Sequence, residues 1–173
     1  FRLIGPQSPD DAPVPVGEHY GVIANVLRGG TVSNCSVDGF AIAPYGGICV
    51  GMIVGRAYAD ATIENCTAGA NARIVDIAGS SVGGIVGGFS AENYFGNIGP
   101  VVRGCTNNAS IIVKTGPGDY RGIGGIVGDM AAYNESSAPV SEVLDCVNNG
   151  TIAAGNETNH PNYIKLGGIV GRT

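Results

Sequence analysis

The chain has 173 residues, among them 30 Gly, 9 Pro, 5 Cys and no Trp, and its 14 acidic against 9 basic residues give a net charge of -5. Only 13% of residues are charged, and an apolar content carried by Ile, Val and Ala suits many short strands joined by turns, leaving helix a minor component at most. Without a Lys/Arg cluster the footprint of a nucleic-acid or anionic-membrane partner is missing, and no apolar run reaches the roughly 18 to 20 residues of a membrane span, so neither nucleic acid nor membrane insertion is expected.

Residues 1–18, FRLIGPQSPDDAPVPVGE, are Pro-rich and out of repeat register, and are expected to form an extended N-terminal arm or linker, which leaves 19–173 as one repeat domain. The chain begins at Phe1 and has no signal-peptide pattern, pointing to a processed or excised piece. From residue 20 onward two motifs alternate. The first is a pentapeptide, weak as YGVIA at 20–24, then GMIVG at 51–55 and GGIVG at 83–87, 124–128 and 167–171; its central column reads Val22, Ile53, Ile85, Ile126 and Ile169. The second ends in Cys: VSNC at 32–35, IENC at 63–66, VRGC at 102–105 and VLDC at 143–146. Two motifs in fixed order with spacers of variable length mark a solenoid, in which each repeat is one turn and length variation is taken up by loops.

The residue before each Cys is Asn34, Asn65, Gly104 or Asp145, all types that accept the left-handed backbone a sharp bend needs. Three residues after Cys stand Asp38, Gly69, Asn108 and Asn149, a second turn-forming column, and beyond it a third side containing Ala41, Ala72, Ile111 and Ile152. The expected fold is therefore all-β, a parallel β-helix (β-solenoid) of about five coils with three short sides per coil and long loops. The GGIVG strand is the first of these sides, and alternation along it turns the Ile column inward and sends Val54, Val86, Val127 and Val170 outward. A Greek-key sandwich is the competing fold, and the motif order argues against it.

The residues GGIVG, followed by NC(S/T) and then NNGTI or NNASI, resemble the GLUG-type repeats of large bacterial surface and adhesin-like proteins. The resemblance covers about 20 to 173. It implies a secreted or cell-surface β-solenoid with a structural or adhesive role and supplies no catalytic residue.

Cys35, Cys66, Cys105 and Cys146 form either a core ladder of reduced thiols or disulfides between neighbouring coils, with Cys49 left over; the ladder is the better fit because stacked side chains point the same way. Six sequons, at Asn34, Asn65, Asn108, Asn134, Asn149 and Asn156, are candidate N-glycosylation sites. Tyr58, Tyr94, Phe95, Tyr133, Tyr120 and Tyr163 are either lids over strand ends or a sugar-stacking platform. No catalytic constellation is present: His19 and His160 are far apart in register, no nucleophile motif occurs, and the carboxylates make no stacked column, so no catalytic residue, metal or cofactor is assigned. Neither end carries a polar cap, which predicts stacking on further repeats of a larger chain or on copies of itself. The sequence thus points to a non-enzymatic extracellular or cell-surface structural module, possessing sequons for glycan, with a carbohydrate-binding adhesin and a polysaccharide-degrading enzyme as alternatives.

Overall fold

The computed structural model describes Arg2, Leu3 and residues 19–42, 48–76, 81–90, 98–113, 121–130, 140–154 and 164–173. After β1 (Arg2–Leu3), the first circuit is β2 (His19–Gly21), β3 (Ala24–Leu27), β4 (Gly30–Ser33), β5 (Ser36–Val37) and β6 (Ala41–Ile42). The second is β7 (Cys49–Gly51), β8 (Val54–Tyr58), β9 (Ala61–Glu64), β10 (Thr67–Ala68) and β11 (Arg73–Asp76). The third is β12 (Ser81–Gly83), β13 (Val86–Ser90), β14 (Val101–Arg103), β15 (Thr106–Asn107) and β16 (Ser110–Val113). The fourth is β17 (Arg121–Gly124), β18 (Val127–Asp129), β19 (Glu142–Leu144), β20 (Val147–Asn148) and β21 (Ile152–Ala154), and β22 (Ile164–Gly167) with β23 (Val170–Arg172) opens a fifth.

Each strand pairs with its equivalents in the neighbouring circuits, and every pairing between described strands is parallel. The molecule is a parallel β-helix of about five coils. Its three sides are present, and two of them bend at their middle, so that each coil contributes to five sheets. One of these bends is the residue before Cys: Asn34, Asn65 and Asp145 have φ of 54°, 52° and 50°, and Gly104 has 61°. β1 lies beside β5, with Arg2 opposite Ser36 and Leu3 opposite Val37.

The other bend falls inside the pentapeptide. Residues 52–53 separate β7 from β8, so GMIVG is an arch between two sheets and not a strand. The second arm of each arch lies against the first arm of the coil before it. A Cβ added at Gly87 would stand 2.3 Å from the Val50 amide nitrogen and 2.6 Å from the Gly55 carbonyl oxygen. Glycine recurs here because two backbone layers meet with no room for a side chain.

This geometry corrects the outward Val row. Alternation applies within one strand, but the chain turns between Ile and Val, so both point into the core: Ile53, Val54, Ile85, Val86, Ile126 and Val127 are all fully buried. Two register expectations also change. Gly21 pairs with Gly51, which puts Ile23, not Val22, over Ile53, with the Ile23 amide donating to the Ile53 carbonyl at 3.1 Å. On the third side, Ile42 and Ile74 join Ile111 and Ile152 in one column in place of Ala41 and Ala72. For Ile74 the cause is local: a turn at 70–71, closed by the Ala72 amide on the Gly69 carbonyl at 3.0 Å, absorbs extra residues between Cys66 and Ile74.

Candidate functional site

The cysteine column is the most regular chemical feature of the molecule. The bend at Asn34, Asn65, Gly104 and Asp145 aims each following Cys inward, and all are free thiols. Each sulfur repeats the same contacts. The thiol donates to the carbonyl two residues before it, at 3.3 Å for Cys35 to Ser33, 3.3 Å for Cys66 to Glu64, 3.4 Å for Cys105 to Arg103 and 3.2 Å for Cys146 to Leu144. Three of them also lean on a carbonyl of the coil before, Cys66 on Val32 at 3.6 Å, Cys105 on Ile63 at 3.7 Å and Cys146 on Val102 at 3.8 Å. Cys66 and Cys105 are fully buried, whereas Cys35 and Cys146 at the two ends are partly exposed.

Hydrogen bonding along the column divides its acidity. Hydrogen bonding with Cys105 lowers the Cys66 thiol to about 6 and the Cys146 thiol to about 7, against desolvation that opposes both. Cys105 is pushed up for the same reason, chiefly through its bond to Cys146. Cys35 is raised, first by burial.

A second polar row runs between the two arms of the arches. His19, Cys49 and Ser81 are in register on the first arms; Arg56, Gly88, Asp129 and Arg172 are in register on the second. Arg56 Nη1 stands 3.5 Å from His19 Nε2, the Ser81 hydroxyl donates to Asp129 Oδ2 at 3.3 Å, and Arg172 forks onto Asp129, with Nε to Oδ1 at 3.0 Å and Nη2 to Oδ2. This seam is salt-bridged and buried, which suits a structural role. Cys49 sits within it, and burial pushes its thiol up to about 12. The raised value means that stability is fully present below the ordinary pKa of 9.0 and is lost as pH rises toward 12. At pH 10.5 the loss from this residue is about 2 kcal/mol. Urea titrations at pH 8 and 10.5 measure it: Cys49→Ala is expected to lessen the alkaline loss by about that amount, and an unchanged loss would refute the assignment.

Two further features were not anticipated from sequence. Asn107 and Asn148 form a side-chain ladder: Asn107 Nδ2 donates to Asn148 Oδ1 at 2.9 Å, and each Oδ1 accepts an amide of its own turn, Ala109 at 3.0 Å and Gly150 at 3.2 Å. The signal was the first Asn of NNA and NNG, one position before the turn residue. Outside the column, Arg103 pairs with Glu64 at 2.6 Å in the open.

Of the candidate sequons, Asn34, Asn65 and Asn149 are exposed and Asn108 is partly so, its Oδ1 accepting from Asn149 Nδ2 at 3.0 Å. Asn134 and Asn156 lie outside the described residues, as do Tyr94, Phe95, Tyr120, Tyr133 and Tyr163. Tyr58 is 6% exposed, with the guanidinium carbons of Arg28 and Arg56 at 4.8 and 5.2 Å from its ring centre. Cations occupy its environment, and it offers no open face for a sugar ring. Among the described residues no group of three or more His, Cys, Asp or Glu is placed to hold a metal, and no helix is long and apolar enough to cross a membrane.

No curated protein and no solved structure matches the chain significantly. A family model described as the GLUG motif matches residues 46–74, a span that runs from just before β7 into β11 and so corresponds to nearly one circuit of the solenoid. The chain carries a GLUG-type repeat over these residues, which include both the arch and the thiol corner.

Proposed function

We propose that the chain is a non-enzymatic structural module of an extracellular or cell-surface protein, working by stacking on further coils. The observation that carries this reading is the in-register stacking itself: Val50, Val82, Ile123 and Leu166 lie over one another in successive coils, and the first three are fully buried. A solenoid built this way buries its apolar columns by laying coil on coil.

Surface glycan at the exposed corners Asn34 and Asn65 is compatible with such a module, since both side chains project from left-handed bends while the following Cys points inward. Sedimentation of the purified chain over a wide concentration range tests the stacking. Concentration-dependent linear association is expected, abolished by Leu166→Lys, which sets a charge where the next coil would bury it. A chain that stays monomeric throughout, or an association indifferent to L166K, would overturn the proposal.

A further inference from the structure

Two positions that face each other across each coil vary together. Gly51, Gly83 and Gly124 are in register, so the residues that follow them, Met52, Gly84 and Gly125, occupy one position in the arches of successive coils. Val37, Ala68, Asn107 and Asn148 occupy one column just past the Cys corner. A Cβ on Gly84 would overlap the Asn107 amide, and one on Gly125 would overlap the Asn148 amide, so the arch lies directly against these side chains. The second coil reverses the sizes: Met52 stands at the arch and Ala68 stands in the column, both fully buried. A long side chain at one position goes with a short one at the other, Met with Ala and Asn with Gly.

The amide also looks along the stack. Asn107 is fully buried and its polar atoms are all used: Oδ1 accepts from the Ala109 amide at 3.0 Å, while Nδ2 donates to Asn148 Oδ1 at 2.9 Å and to the Ala109 carbonyl at 3.4 Å. With a Val37 or an Ala68 in the place of Asn148, one of those donor hydrogens would be buried without its acceptor, which an apolar core penalises. The Ile column makes no such distinction, because Ile53, Ile85 and Ile126 are alike. Where apolar packing leaves several arrangements equivalent, a buried polar pair selects among them. We infer that the second arch residue and the column residue past the Cys corner form one matched pair, and that Gly–Asn pairs recognise each other from coil to coil and fix which coil lies over which.

Transplanting the pair into the second coil tests this. Ala68→Asn sets an amide against the Met52 side chain and Met52→Gly alone opens a void, so each is expected to lower the urea midpoint of the full chain. The M52G/A68N double variant restores the match, with the new amide able to donate to the second lone pair of Asn107 Oδ1, and is expected to unfold at about 0.5 M urea or more above either single variant. Hydrogen exchange followed by NMR reads the ladder itself. The Asn107 side-chain amide of the parent is expected to exchange at least about tenfold more slowly than that of exposed Asn34, and in the double variant the amide at position 68 is expected to gain the same protection. A single variant as stable as the double, a double variant that fails to fold, an Asn107 amide exchanging as fast as that of Asn34, or no protection at position 68 would each overturn the inference.

Discussion

Gly87→Ala is expected to abolish the folded state, although it adds a single methyl group. That methyl would lie 2.3 Å from the Val50 nitrogen, 2.6 Å from the Gly55 oxygen and 2.7 Å from the Cys49 carbonyl carbon. All three are backbone atoms, so no rotamer change relieves the overlap and the arms of two successive arches must separate. Separation would loosen the parallel pairs that β13 makes with β8 and β18, and the cost is expected to exceed about 5 kcal/mol, comparable with the whole stability of an ordinary domain. Gly168→Ala is the control. Nothing lies within 4 Å of a Cβ at that position, and the change should stay within about 0.5 kcal/mol. Circular dichroism melts of the two variants decide the matter; a folded G87A protein melting close to the parent would mean that the arms do not meet as described.

Ile85→Ala is expected to cost about 4 kcal/mol, near the upper end for removing a buried Ile side chain. Ile85 is fully buried with Ile53 and Ile126 in the same column, and the backbone bonds that hold them there, Ile53 N to Ile85 O and Ile85 N to Ile126 O, are both 3.0 Å. Those bonds pin the neighbouring residues at the coil spacing, so the void left by Ala cannot collapse. The same truncation at Ile169, 37% exposed in the last layer, should cost about 1 kcal/mol, because less apolar area leaves water there. Urea midpoints for the two variants give the comparison. Equal losses would show that the last layer is covered in solution, which would itself report self-association.

The four-thiol column and the Asn107–Asn148 ladder differ in how visible they are from residues alone. Cys35, Cys66, Cys105 and Cys146 stand at one offset from a repeated bend, and their alignment follows from counting. Asn107 and Asn148 are equally regular, but Val37 and Ala68 occupy the same column in the two earlier coils, and two polar residues above two apolar ones do not announce a ladder. The polar seam shows a sharper limit. Cys49, Ser81, Asp129 and Arg172 belong to different coils and different arms, and nothing in their order along the chain says that they face one another.

What the residues determined by themselves was the coil: the repeat and its parallel stacking, the Ile and Cys columns, and the left-handed corners at Asn34, Asn65 and Asp145. These depend on period and on local backbone preference, both of which are written along the chain. Tertiary structure alone decided that the pentapeptide is an arch, that Ile and Val both turn inward, and that a salt-bridged seam fills the space between its arms. Alternation predicts faces only within one sheet, and whether a glycine-flanked segment stays in one sheet or folds between two depends on the backbone of the preceding coil pressing against it.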